Sequence, residues 1–158
     1  MLRTISVAAA LVAAATVAQA NEPATPNADY GKTVSIIGGC QDCHTADYGA
    51  KGGVINPDTA LAGNPVGYQG PWGTTYAFNL RILASTMSED GWVKFLQTFT
   101  ARPPMPFYNV HALDEVQTRS LYQYIATLKP LGNPAPDYVP PGQKPTSPYN
   151  VFAPPVMT

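Results

Sequence analysis

Charged residues are scarce in this chain of 158 residues: they make up 12% of it, and the formal net charge is −1. Because there is no excess of lysine and arginine to neutralise phosphates, binding to nucleic acid is disfavoured. Two cysteines are too few for a disulfide-rich scaffold. With two histidines and four methionines, the chain also has few candidate metal ligands. The hydrophobic share of 45% argues against a disordered chain, and the length suits one domain.

Residues 1–20 have the composition of a secretory signal peptide. Arg3 gives a positive start, residues 5–18 are apolar almost throughout, and Ala18 and Ala20 provide the small side chains of a cleavage site. The apolar run is too short to cross a bilayer, which takes about 20 apolar residues. We therefore expect cleavage and export to the periplasm. The alternative is an uncleaved anchor, which alone would bring the protein into contact with a membrane.

Two helices are marked by the residues that cap them. Ser88, followed by two acidic residues, predicts the start of one helix, and an apolar stripe at helical spacing continues to Phe99. Asp114 and Gln117 have the spacing of a capping box and predict the start of another. This second helix is expected to end at Pro130.

The rest of the chain divides around these helices. Residues 21–28 are a predicted flexible lead-in, and Asp29 is the expected cap of a first helix. Residues 29–132 are the predicted domain, in which the glycine-rich stretch 45–79 forms a long irregular loop. Residues 133–158 are a proline-rich tail, expected to lie extended on the domain or to bind a partner. Since no series of alternating strands is present, the predicted class is mainly α.

The residues with the clearest chemistry are 40–44, which read Cys-Gln-Asp-Cys-His. This is the pattern of c-type haem attachment. Two intervening residues turn the chain so that the thiols of Cys40 and Cys43 reach the two vinyl groups at one edge of a porphyrin. His44 then lies under the iron, where a neutral imidazole nitrogen binds while the other nitrogen donates to a backbone carbonyl. We therefore predict one covalently attached haem c.

The cysteine pair has three other interpretations. A disulfide between Cys40 and Cys43 would close a very short loop and stabilise the fold weakly. A thioredoxin-like redox pair needs a strand–helix context that this sequence does not predict. Half of a zinc site would need further ligands, and only one more histidine is present.

Met105 is the best candidate for the second axial ligand of the iron. It stands in the sequence Pro-Pro-Met-Pro at 103–106, where the prolines favour extended backbone and hold the side chain outward. A thioether is a soft, neutral ligand that raises the haem potential relative to a second histidine. The alternatives are that Met105 fills a gap in the core, or that Met87, Met157 or His111 supplies the ligand.

Together these features resemble class-I c-type cytochrome domains, and in particular the cytochrome subunits of bacterial periplasmic alcohol, aldehyde and gluconate dehydrogenases. The similarity covers roughly residues 30–141. It rests on 40–44, Leu61-Ala62-Gly63, Gly73-Thr74-Thr75-Tyr76, Asn79-Leu80, 88–92 and 102–108 continuing into 121–141. The resemblance implies a cytochrome c-like helical domain with a single haem and long irregular loops. It also implies that the proline-flanked Met105 is the distal ligand.

The sequence departs from that family in two respects. The dehydrogenase subunits typically carry three such domains, whereas this chain has one haem motif, and Arg81-Ile82-Leu83 stands where the family has threonine, proline and aspartate. In the family, the loop before the distal ligand wraps the haem propionates. The resemblance therefore implies hydrogen-bond donors there, for which the candidates are Trp72, Tyr76, Asn79 and Arg81. Arg81 is preferred because a guanidinium pairs well with a carboxylate, while Trp72 and Tyr76 have core packing as their alternative.

The expected function is single-electron transfer by a soluble periplasmic monohaem protein, rather than catalysis. With histidine and methionine both bound, the iron would have no open position for a substrate. The expected partner is a redox protein, either a dehydrogenase or a terminal acceptor. One alternative is an electron-transfer subunit tightly bound to a periplasmic dehydrogenase, with the tail as its docking strap. Another is a haem ligand sensor, which requires an open or easily displaced axial position.

Overall fold

The computed structural model describes residue 23 and residues 25–156. The predicted signal segment at 1–20 and Met157 lie outside the described residues. In chain order, the elements are α1 (Ala28–Ile37), α2 (Cys40–His44), β1 (Gly67–Gly70), β2 (Gly73–Thr75), α3 (Leu80–Ser85), α4 (Glu89–Thr98), α5 (Phe107–Val110), α6 (Glu115–Leu128) and β3 (Tyr149–Val151). A search of the described residues for a helix both long and apolar enough to span a bilayer found none.

The three longest helices begin at side-chain caps. Ser88 accepts a hydrogen bond from the first turn of α4, and Asp114 and Gln117 form the complete capping box of α6, so both predicted starts are confirmed. The predicted start of α1 is wrong. Its cap is Asn27, whose side chain accepts from the main chain of the first turn, while Asp29 lies inside that turn. Both residue types cap helices well, and sequence alone did not separate them.

Helices α1 and α6 cross in close contact at Gly31. A Cβ atom at this position would lie 1.8 Å from the main-chain oxygen of Ser120, so only glycine permits this approach. The main-chain N–H of Asn27 also donates to Ser120 Oγ at 3.1 Å. Val34 of α1 and Leu121 of α6 are buried beside the crossing. This helix pair forms the frame against which α2 is placed.

The hydrophobic core lies between α1, α4 and α6. Trp92 and Leu96 of α4 pack with Tyr124 and Ile125 of α6, and all four are buried. The aromatic stripe predicted from the sequence therefore faces the core. It continues outward through the stacked rings of Phe95 and Phe99.

A small sheet, which sequence analysis did not predict, crosses the stretch expected to be irregular. Strands β1 and β2 form an antiparallel hairpin, and β3 from the tail pairs parallel to β1 on the other side. Tyr68 stands at the centre, opposite Thr75 on one side and Asn150 on the other. These strands are three or four residues long, too short to show an alternating pattern.

The tail lies along this hairpin. The main chains of Thr74 and Val139 exchange hydrogen bonds of 2.8 and 3.0 Å, and Phe152 donates its N–H to Gln69 at 2.7 Å. Gly73 makes the approach possible, because it has a φ of +98° and because a Cβ atom there would lie 2.4 Å from the oxygen of Val139. Residues 138–152 thus form part of the same folded unit as the helices.

Candidate functional site

The site is built on α2, the short helix that carries the two cysteines. Cys40 and Cys43 are three residues apart, so their side chains lie on the same side of the turn. Both are free thiols, and burial raises the pKa of Cys40 to about 11. Tyr68, which sequence analysis missed, lies beside Cys43: burial and then the neighbouring thiol raise the pKa of this tyrosine.

A buried polar network holds α2 in place. Gln41, wholly buried within the motif, donates through Nε2 to Ser35 Oγ of α1 at 3.0 Å and accepts from Thr45 Oγ1. Thr45 Oγ1 in turn accepts from the main-chain N–H of Leu61 at 2.8 Å. The network therefore ties the attachment turn both to the helix before it and to the loop after it. Gln41 occupies a variable position of the motif, so the motif itself does not indicate this role.

His44 is buried, and its ring orientation is set by one hydrogen bond. Nδ1 lies 2.7 Å from the main-chain oxygen of Phe78. A carbonyl oxygen only accepts, so Nδ1 is the protonated nitrogen and Nε2 carries the lone pair that a metal would use. Burial lowers the pKa of His44 and so favours the neutral ring, the form that binds iron. Phe78 thus supplies the backbone carbonyl expected for this histidine.

Met105 is half-buried in the loop between α4 and α5. Its N–H donates to Arg102 O at 3.3 Å, and its own carbonyl accepts from Phe107 at 3.0 Å. The loop is attached to the hairpin by Thr75, whose Oγ1 donates to the oxygen of Pro103 at 2.8 Å. The segment that carries the predicted distal ligand is therefore bonded to β2.

The histidine and the methionine loop are both anchored to one short segment, residues 75–78. Phe78 holds the ring of His44, and Thr75 holds the loop of Met105. These anchors are three residues apart, so their Cα atoms are at most about 11 Å apart. The segment 75–78 therefore brings both candidate ligands to one region of the molecule. Neither anchor was predictable, since a backbone carbonyl leaves no mark on the sequence and no local pattern shows which partner a threonine hydroxyl bonds.

The other predicted ligands are engaged elsewhere. Met87 packs against the hydrophobic core, as expected of a residue before a helix. His111 donates through Nε2 to the oxygen of Phe99 at 2.9 Å, and its ring contacts Phe99 and Phe107 edge-on. Of the alternatives within the described residues, each therefore has a packing or hydrogen-bonding role of its own.

Arg81 and Asn79, two of the four proposed propionate donors, are instead used by the fold. As a whole residue Arg81 is 2% exposed, and its guanidinium donates to three backbone oxygens, those of Ala60 at 2.6 Å, Leu128 at 3.1 Å and Pro57. Asn79 caps α3 through Oδ1, while Nδ2 donates to the oxygens of Leu131 and Asn133, 2.7 and 3.2 Å away, where the domain continues into the tail. Both residues join separate segments, and we do not propose either as a propionate ligand.

Trp72 and Tyr76, the other two candidates, face the tail. Trp72 Nε1 donates to the oxygen of Tyr68 at 3.3 Å, and its ring lies 5.9 Å from that of Phe152. The hydroxyl of Tyr76 lies 2.9 Å from Ser147 Oγ. Their contacts match the packing alternative, with the tail rather than the helical core as the partner. Contact with a propionate stays a prediction for these two side chains.

The structure bears directly on the other interpretations of the cysteine pair. Within residue 23 and residues 25–156, no group of three or more histidine, cysteine or acidic side chains is placed to hold a metal ion. The helix α2 follows α1 rather than a strand, so the thioredoxin-like context is absent from this part of the chain. Both sulfurs are free rather than paired.

The donor set fits a covalently attached haem. Two thiols lie on one turn, the next residue is an imidazole with one nitrogen committed to a carbonyl, and a thioether stands in a loop anchored nearby. A family model described as cytochrome c matches residues 28–129, which is more than half of the chain. Comparison with curated proteins gave no match, and comparison with solved structures gave none either.

Proposed function

The chain belongs to the cytochrome c family, and on this basis we propose that it is an exported, freely diffusing carrier of single electrons between periplasmic redox proteins. Its cofactor is haem c, and haem-based electron transfer with partner proteins follows from the family. Beyond the family, we propose which residues bind the iron, that the protein is exported, and that it works independently of a larger enzyme. A dehydrogenase as donor and a terminal oxidase or reductase as acceptor are the partner classes that suit such a carrier.

We assign Cys40 and Cys43 to covalent attachment, and His44 and Met105 to the two axial positions. When bound, the haem supplies an iron that changes between ferrous and ferric by one electron. The residues of this chain hold that iron on both sides. Because neither side is then open to a small molecule, electron transfer is favoured over substrate activation and over ligand sensing.

The observation that carries the assignment is the shared anchor at 75–78. His44 is bonded to Phe78, and the loop of Met105 is bonded to Thr75. An arrangement in which both ligands depend on one short segment resists independent movement of either side. A carrier benefits from this, since an iron whose ligands hardly move exchanges electrons with little rearrangement.

The packed tail supports a free carrier over a tightly bound subunit. A docking strap that becomes ordered only on its partner would be expected to make few contacts with its own domain. Here Tyr76 bonds to Ser147, and Phe152 packs on Trp72 and Tyr68 of the same chain. Gel filtration of the native periplasmic fraction tests this point. Elution as a small protein supports the proposal, and co-elution with a dehydrogenase at fixed stoichiometry contradicts it.

The ligand set is tested by spectra of the purified protein. We expect the ferric form to show the weak band at long wavelength that reports sulfur bound to iron. Met105→Ala should abolish this band, and Met105→His should lower the midpoint potential because imidazole replaces a thioether. Met87→Leu is the matched control and should keep both the band and the potential. A band that persists in Met105→Ala would transfer the role to another sulfur.

Export is tested by the N-terminus of the mature protein. The signal pattern at 1–20 supports cleavage after Ala20, so sequencing of the periplasmic protein should begin at Asn21. Arg3→Glu should slow export, because it removes the positive start of the signal. Recovery of the chain from the membrane fraction with residues 1–20 intact would contradict cleavage and support the anchor.

A further inference from the structure

Tyr138, in the tail, connects the hairpin to the loop of the distal ligand. Its hydroxyl donates to the main-chain oxygen of Trp72 at 2.7 Å. The guanidinium carbon of Arg102 lies 3.9 Å from the centre of its ring, within the range of a cation–π contact. Arg102 is three residues before Met105 and accepts its N–H through the main chain. One side chain of the tail therefore contacts both the hairpin and the start of the loop between α4 and α5. Because this loop carries Met105, we call it the ligand loop.

The ligand loop is held from two directions. On one side, Thr75 Oγ1 donates to the oxygen of Pro103. On the other, the ring of Tyr138 contacts the side chain of Arg102. The adjacent Val139 is paired with Thr74 in both directions, which fixes where the ring of Tyr138 lies. The loop thus contacts both the hairpin and the tail just before Met105.

We propose that Tyr138 is a positioning residue for Met105, holding the ligand loop closed through Arg102. The inference rests on the proposed function, because it takes Met105 as the distal ligand. Loss of the ring contact would let the loop open more often. Each opening would release the thioether and give an external ligand access to the iron. A cation–π contact at an exposed site corresponds to about a two- to fivefold change in such an equilibrium.

The test uses the complete ferric protein with imidazole as the probe. The rate of imidazole binding at neutral pH measures how often the distal position opens. We expect Tyr138→Leu and Arg102→Met each to accelerate binding about two- to fivefold. Arg102→Lys, which keeps a cation, should restore much of the slow rate. The double variant should bind imidazole no faster than the faster single variant, because both changes remove the same contact.

Phe152→Leu is the matched control. It removes another aromatic contact between tail and hairpin, the one to Tyr68 and Trp72, without touching the ligand loop. Its imidazole rate should equal that of the wild type. Equal acceleration in Phe152→Leu would overturn the inference, because the tail would then act as a whole. Since Arg102 is exposed, Arg102→Met tests the proposal even where Tyr138→Leu fails to fold.

Two further outcomes separate this inference from the proposed function. A wild type without the sulfur band, or with the imidazole rate of Met105→Ala, would refute Met105 as ligand and the inference with it. A wild type with the band but unchanged rates in Tyr138→Leu and Arg102→Met would refute the positioning role alone. In that case the ligand assignment would stand.

Discussion

Replacing Arg81 by methionine tests whether this buried guanidinium serves the fold or the cofactor. The side chain joins three segments by donating to Ala60, Leu128 and Pro57, and it is almost wholly buried. Methionine fills a similar volume but donates no hydrogen bond. The three carbonyl oxygens would lose their partner, while their segments would lose the charge that draws them together.

The size of the effect follows from these three bonds. A hydrogen bond to a charged group contributes about 1.5–3 kcal/mol, and burying the guanidinium costs part of that gain. Two of the three bonds are only partly buried, so water would solvate some of the released oxygens. We therefore expect a net loss of about 3 kcal/mol in the free energy of unfolding, or roughly 10 °C in Tm for a chain of this size.

Thermal unfolding of the holoprotein and a redox titration should be measured together. Arg81→Met should lower Tm and leave the midpoint potential close to that of the wild type. Arg119→Met is the control, because Arg119 also contacts three partners, the half-buried carboxylate of Glu89 and the exposed carboxylates of Asp90 and Glu115. Such surface pairs contribute little to stability, so Tm should hardly change. An unchanged Tm with a shifted potential in Arg81→Met would refute our account and restore the propionate hypothesis.

Three other predictions follow from the structure. Gly31→Ala should destabilise the fold by about 1–3 kcal/mol in urea unfolding, because the added Cβ meets Ser120; an unchanged midpoint would contradict the helix crossing. Gly73→Ala should make the tail more sensitive to proteolysis, because the added Cβ would meet the oxygen of Val139. Gly142→Ala is the control, since Gly142 has a similar positive φ but open space around it, and it should leave proteolysis unchanged. Equal cleavage of the two variants would show that backbone strain alone is responsible. Burial raises the pKa of Tyr124, so this tyrosine ionises first in the unfolded chain and the free energy of unfolding falls above about pH 10. Tyr124→Phe should make the free energy of unfolding depend less steeply on pH in this range. An equally steep dependence would show that Tyr124 is not the group responsible.

The parts of the fold that sequence analysis predicted depend on neighbours in the chain. Two helix starts could be predicted because a cap bonds to the turn that directly follows it in the chain. These are the starts marked by Ser88 and by the pair Asp114 and Gln117. The attachment motif was equally readable, since its chemistry needs residues at fixed spacing along one turn. Asn27 and Asp29 show the limit of this approach, because asparagine and aspartate both cap helices well and these two lie only two residues apart.

The parts that could not be predicted depend on distant contacts. The hairpin becomes a three-stranded sheet because β3, about eighty residues further along the chain, pairs with β1. No local sequence pattern indicates such a distant pairing. Arg81 has the chemistry of a carboxylate partner, but its guanidinium instead donates to three backbone carbonyls that folding brings together. Phe78 acts through its main chain, so its side chain gave no indication of the contact with His44.

The central claim is that haem is covalently bound through Cys40 and Cys43. The most direct test is the intact mass of the protein after maturation with a working c-type haem ligation system. We predict the mass of the mature chain plus one haem for the wild type, and the mass of the polypeptide alone for the Cys40→Ala/Cys43→Ala double variant. A wild-type protein recovered with the mass of the polypeptide alone would contradict it.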